Sequence, residues 1–189
     1  MSAGIIYNNT AGLTATAVGN SGEFLQSNGA GSAPTFAAIP TKSAYFVYRS
    51  SDLLNVTGDN FQYPIPFNTA LLNPGSAINT TTGTFTAPKT ANYFMSGAVL
   101  IRGLLDTHTQ GIIYIRNTTT ASTFLLGGEI NPFNAADVNG SIQLQFSGIA
   151  VLTAANVVEF RITVAGGTRV VDVQGQGAPF CTYWSIFEL

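Results

Sequence analysis

The sequence predicts an all-β chain, a jelly-roll β-sandwich of about eight to ten antiparallel strands behind a short extended segment. Three observations carry this. Short apolar runs recur through residues 43–189 and are separated by turn residues. Several of those runs alternate apolar and polar side chains with period two, the pattern of strands buried on one face. No stretch sustains a helical period.

The first element is the segment 1–41. Its stretch from Gly19 to Phe36 is rich in Gly, Ser, Asn and Ala, as a flexible linker would be. The spaced apolar groups Ile5, Ile6, Tyr7, Leu13, Val18, Phe24, Leu25 and Phe36 suggest short strands separated by turns. They are too few to build a core alone, so this segment reads as an extended, fibre-like or attachment region. Residues 42–189 read as the head domain.

Within the head the expected strands are 44–50, 76–87, 92–103, 111–117, 122–130, 140–152, 156–165, 168–174 and 180–189. Asn73-Pro74-Gly75, Asn139-Gly140, Gly166-Gly167 and the run before the last strand supply turns, and Gly166-Gly167 reads as a tight hairpin. In 156–165, Val158, Phe160, Ile162 and Val164 share one face, opposite Glu159, Arg161 and Thr163. In 140–152, Ile142, Leu144 and Phe146 oppose Gln143, Gln145 and Ser147. The first and last strands are apolar on both faces. Tyr45/Val47 back onto Phe46/Tyr48, and Cys181/Tyr183/Phe187 back onto Phe180/Trp184/Ile186. One face can pack inside the sandwich; the other predicts contact between subunits.

Composition narrows the function. Of 189 residues, 46% are apolar and only 8% are charged, against roughly 25% charged in ordinary soluble domains. Such a surface is covered by Thr, Asn, Ser, Gln and Gly, as in fibres, capsid proteins and adhesins. The seven basic residues are isolated from one another and the net charge is −2, so no footprint for nucleic acid exists. No apolar run approaches the ~18 residues of a membrane span. MSAGIIYNNTAG lacks the basic start and apolar stretch of a secretory signal. An extracellular protein of this sequence is therefore expected to leave by lysis or to have been trimmed. Cys181 is the only cysteine, which excludes an intrachain disulfide and reads as a small buried hydrophobe.

Two resemblances sharpen the expectation. Gly19, Gly22, Leu25, Ser27, Asn28, Gly29, Gly31, Pro34 and Phe36 fall in the pattern of a repeat common in bacteriophage tail fibres and related bacterial surface proteins. Residues 43–189 resemble the complement C-one-q-like head, a jelly roll of the tumour-necrosis-factor type that trimerises around a three-fold axis. The matching elements are Tyr45-Phe46, Ile65-x-Phe67-Asn68, Asn73, Gly75, Thr82-Gly83-x-Phe85-x-Ala87-Pro88, Tyr93-Phe94 and Ile186-Phe187-Glu188-Leu189. Asn92, where that family has Gly, and Ala155-Asn156, where it prefers Gly-Asp, are loop-level departures. The resemblance implies a homotrimer with the first and last strands near the axis. It makes Tyr45, Phe46, Tyr48, Tyr183 and Phe187 the interface candidates. Alternation sets Tyr183 and Phe187 opposite Trp184 without fixing which face meets the axis, and Tyr183 and Phe187 are the expected pair.

Little points to catalysis. His108, the only histidine, lies beside Asp106 in a polar loop and reads as a solvated side chain. A base needs a nucleophile partner that this sequence does not supply, although three-fold symmetry could gather three such rings around a metal. Glu23, Asp52, Asp59, Asp106, Glu129, Asp137 and Asp172 are scattered rather than paired as in a glycosidase. The turns around Asp59 and Asp137 are oxygen-rich but lack the spaced acidic ligands of a calcium loop. Sequons at Asn8, Asn55, Asn79, Asn117 and Asn139 follow from a Thr- and Asn-rich composition.

The expectation is a non-enzymatic virion protein without cofactor or metal, a bacteriophage fibre or surface protein. Its N-terminal segment would join other virion or fibre proteins, and its head would bind a host surface receptor, glycans included. The polar loops 51–62, 104–110 and 131–140 are the expected receptor contacts. A bacterial surface or filament adhesin is the alternative, and a fibre-borne carbohydrate-active enzyme is the rival of another class.

Overall fold

The computed structural model describes residues 6–9, 12–15, 19–30, 32–39, 41–127, 131, 134, 136–137 and 139–189. It divides into two compact units, Met1–Thr41 and Lys42–Leu189. The first unit contains two hairpins, β1 (Ile6–Asn9) with β2 (Gly12–Ala15), and β3 (Glu23–Gln26) with β4 (Thr35–Ala38). Polar Asn28 ties the second hairpin's loop together, donating through Nδ2 to the Ala33 carbonyl at 2.7 Å.

The second unit is a two-sheet antiparallel sandwich. Its strands are β5 (Ala44–Tyr48), β6 (Leu53–Thr57), β7 (Tyr63–Pro64), β8 (Thr69–Leu72), β9 (Ile78–Asn79), β10 (Thr84–Thr86) and β11 (Ala91–Arg102). They continue with β12 (Gln110–Asn117), β13 (Ser122–Leu126), β14 (Ile142–Leu152), β15 (Val157–Ala165), β16 (Val171–Val173) and β17 (Tyr183–Glu188). In the front sheet β14 covers one edge of β11, and β17 and β16 share the other edge end to end. Beyond β17 come β5 and β8, and beyond β16 comes β6. The back sheet runs β13-β12-β15-β10-β9, with β7 also on β15.

Period-two alternation decides what lies between the sheets. Val158, Phe160, Ile162 and Val164 of β15 meet Tyr93, Met95, Val99 and Ile101 of β11, all fully buried. Trp184 sits where the layers meet, its ring centroid 6.0 Å from Phe67, 6.1 Å from Phe160 and 6.3 Å from Phe85. Fully burying one such side chain contributes about 1.5–3 kcal/mol, so this aromatic cluster anchors the head. Gly97 lets it close: a Cβ there would sit 2.7 Å from Phe160 and 2.8 Å from Phe146.

Several expected elements are corrected. The run 76–87 is two strands, because the Asn79 side chain accepts the amides of Thr81 and Thr82 at 2.9 and 3.3 Å and folds a turn between them. Gly166-Gly167 is not a tight hairpin; it carries the chain from β15 in the back sheet to β16 in the front sheet. The Gly167 amide binds the Gly58 carbonyl at 3.0 Å instead of closing on its own strand. Residues 53–57, expected as loop, form β6, and β7 and β8 are further strands that the apolar pattern did not mark. Residues 128–130 of the run expected at 122–130 lie outside the described residues.

Candidate functional site

The sandwich presents two candidate surfaces: the outer face of the front sheet and the loops at one end. Register places Phe46 and Tyr48 of β5, Tyr183, Ser185 and Phe187 of β17, and Phe94, Ser96 and Ala98 of β11 on that outer face. Ile149 and Val151 of β14 extend it, and both are exposed. Phe46 and Tyr183 stack at 5.7 Å and 19°. Phe180 lies 5.3 Å from Phe46 and 4.5 Å from Tyr48. These four rings form a ridge. Beside it the short side chains of Ser96 and Ser147 leave a furrow of about 350 Å³ bounded by Gln145 and Tyr183.

Four of the five interface candidates, Phe46, Tyr48, Tyr183 and Phe187, therefore share this open face. Tyr45 does not. It is 2% exposed and packs edge-on against Phe85 at 5.1 Å, inside the sandwich, because its parity on β5 is that of Val47. Phe180 is a second correction. The chain bends before β17 begins at Tyr183, so strand parity does not reach Phe180, which joins the face of Tyr183 rather than that of Trp184. Cys181 is buried, its Sγ 3.3 Å from the Gln174 carbonyl, and burial pushes its thiol pKa up, away from reactivity. Sequence reading missed Phe94, Ile149, Val151 and Phe180. The two-sided apolarity of β11, Phe94 against Tyr93 and Leu100 against Val99, was the available signal.

The loops 58–62, 103–109, 139–141 and 166–170 gather at the end where β11 and β15 finish. His108, expected in solvent, is fully buried there. Its Nδ1 accepts the Leu105 amide at 2.8 Å, so Nε2 carries the proton and donates to the Thr168 carbonyl at 3.2 Å. With both nitrogens engaged, the ring is a clamp between loops rather than a ligand or a base. Gly58, at φ 127°, allows the approach, since a Cβ there would collide with Thr168 and His108.

Charge at this end is used internally. Arg169 donates through Nε and Nη2 to the Asp59 carboxylate at 3.0–3.1 Å and lies 4.1 Å over the Phe61 ring. The hydrogen bond from Arg169 holds the Asp59 carboxyl below its usual range. Asp137 accepts the amides of Ser141 and Asn139, each at 2.9 Å, and these hold its pKa down as well. Neither carboxylate faces a second one, and no group of three or more His, Cys, Asp or Glu side chains is gathered among the described residues. Glu129 and part of 131–140 lie outside the described residues. Among the described residues no helix is long and apolar enough to cross a membrane.

The geometry also sets a polarity. The chain enters β5 at Ala44 and leaves β17 at Glu188, beside the start of β11, while the loop cluster lies at the opposite end. Lys89 bonds Glu188 at 2.7 Å at the entering end.

No family model and no curated protein matches this sequence. Solved structures do. Murine APRIL at pH 8.5 superposes with a TM-score of 0.51 at 9% identity, over 79% of this chain and 100% of that one. Eiger TNF from S. frugiperda superposes with a TM-score of 0.57 at 11% identity, over 79% of this chain and 94% of that one. At such identities the likeness concerns the fold, and residues 42–189 have the jelly-roll fold of the tumour-necrosis-factor type.

Proposed function

We propose that this chain is a non-enzymatic, homotrimeric recognition protein, a bacteriophage fibre or virion-surface component whose head binds a host receptor. The observation that carries the assembly is the open face of the front sheet. A ridge of four half-buried aromatic rings, flanked by exposed Phe187, Ile149 and Val151, is a contiguous apolar surface of the kind that marks an interface. Three copies packed with these faces towards a common axis cover it, as the resemblance to trimeric heads implies. The clamped loop end then points away from the chain's entering strand and is left for the receptor. Support for the virion setting comes from the fibre-like pattern of Gly19–Phe36 and from the sparse charge.

Light scattering on the purified chain is the test. The expected mass is three times 19.8 kDa at micromolar concentration, and deletion of residues 1–41 keeps that stoichiometry in proportion. Labelled head is expected to bind intact bacterial cells and to compete with particle attachment. A monomer at high concentration overturns the assembly; a trimer that binds no cells overturns the receptor reading.

A further inference from the structure

The outer face of the back sheet carries a feature that packing alone does not explain. On β12, Gly111, Ile113 and Ile115 point into the sandwich, while Ile112, Tyr114 and Arg116 point outward. Thr163 of β15 stands opposite Ile112 and points the same way. Outward residues on a face over which the described residues form no further layer are expected to be wet. Tyr114 is nevertheless only 6% exposed and Thr163 only 5%. The hydroxyl oxygens of both are buried and have no hydrogen-bond partner. Orphaned buried hydroxyls are a net cost to the fold and call for an explanation at each site.

Both residues line one cavity of about 200 Å³, with Asn60, Gln62, Gln110 and Arg116 around it and Ile112 as an apolar wall. We propose that this cavity is a binding site for a single pyranose ring, a monosaccharide unit of the receptor. The carboxamides of Asn60 and Gln62 and the hydroxyls of Tyr114, Thr123 and Thr163, each able to donate and accept, match the dense array of ring hydroxyls, which also donate and accept. The apolar wall and the tyrosine ring suit the C–H face of a sugar. The cavity is smaller than the roughly 300–1,000 Å³ of sites for drug-sized ligands, which favours one ring over an extended chain. No carboxylate lines it, and Arg116 is the single cation, so neutral and acidic sugars are admitted and polyanions gain little. The site lies on the face opposite the proposed assembly surface and stays open in a trimer.

This inference rests on the recognition reading and supplies its ligand class. The experiment is saturation-transfer NMR on the full chain with methyl glycosides of glucose, galactose, N-acetylglucosamine and glucuronic acid. At least one is expected to bind. Tyr114→Phe and Thr163→Val delete one hydroxyl each without changing shape, and each is expected to weaken that glycoside at least tenfold with no loss of thermal stability. Gln62→Ala on the exposed rim is expected to weaken it as well, and keeps the test open should a buried variant misfold. The proposal falls if none of the glycosides binds, or if binding survives all three substitutions. It also falls if removing the hydroxyls destabilises the head, since they would then already have partners. Trimer mass and cell binding are measured separately, so a failure of the sugar site leaves the recognition reading standing.

Discussion

Phe187 and Trp184 are three residues apart on one strand, and charging them should have opposite outcomes. Trp184 is buried among Phe67, Phe85 and Phe160. Truncating such a side chain costs about 3–5 kcal/mol, a large part of the roughly 5–15 kcal/mol that holds a domain folded. Trp184→Asp adds an unpaired buried carboxylate to that loss and is expected to abolish folding. Phe187 is 45% exposed and stands on the outer face of the front sheet, opposite Phe94. Phe187→Asp should therefore change the stability of a single head by no more than about 0.5 kcal/mol, the range for ordinary surface substitutions. In a trimer, however, it removes the burial of the 45% of each phenylalanine that a single head leaves exposed, about 1 kcal/mol per copy. A loss of roughly 3 kcal/mol corresponds to about two powers of ten in the association constant, before repulsion between three carboxylates is counted. Light scattering across a dilution series, paired with urea titration, reads both quantities. A Phe187→Asp protein that stays trimeric at nanomolar concentration would refute the placement of this face at the interface.

Three further outcomes follow from the described contacts. His108→Ala leaves the Leu105 amide and the Thr168 carbonyl without their partner and is expected to cost about 2–4 kcal/mol in urea titration while leaving assembly intact. The Glu188 carboxyl is held below its usual range, first by the hydrogen bond from Lys89 and also by the Ser43 amide. A depressed folded value means that the unfolded chain takes up the proton first, so this contribution is present above about pH 5 and is lost as pH falls through the folded value. Lys89→Met should accordingly lower stability at pH 7 and converge with the parent as pH falls through the folded value, in parallel thermal melts. Gly97→Val should fail to fold or melt far lower, because its side chain would meet Phe160 and Phe146 where the sheets touch.

The strands were legible wherever side chains report the layer. Alternation in 156–165 marked β15 and its inward face, and the aromatic final run marked β17. Placing Tyr183 and Phe187 opposite Trp184 also followed from period two. Parity failed before the last strand, where Phe180 was assigned across a bend that the sequence does not mark. Tyr45, which parity sets with Val47 on the inward face, was an interface candidate because the resemblance brings the whole first strand near the axis. The Gly166-Gly167 turn could not show which sheet its second arm would join, since turn chemistry is local and sheet membership is not. His108 looked solvated because its partners, a backbone amide and a backbone carbonyl, have no side-chain identity to read. The orphaned hydroxyls of Tyr114 and Thr163 were hidden for the complementary reason: the pattern places them outward, and only the packed surroundings make them dry.

Trp184 has one more consequence. It is the sole tryptophan of the chain, it is wholly enclosed by apolar rings, and its indole nitrogen has no hydrogen-bond partner. Its emission should lie far to the blue and shift red only when the two sheets part. The N-terminal unit contains no tryptophan, so its loosening will leave that signal untouched. Fluorescence thus reports the opening of the head alone, a natural optical gauge at the point where both layers depend on each other.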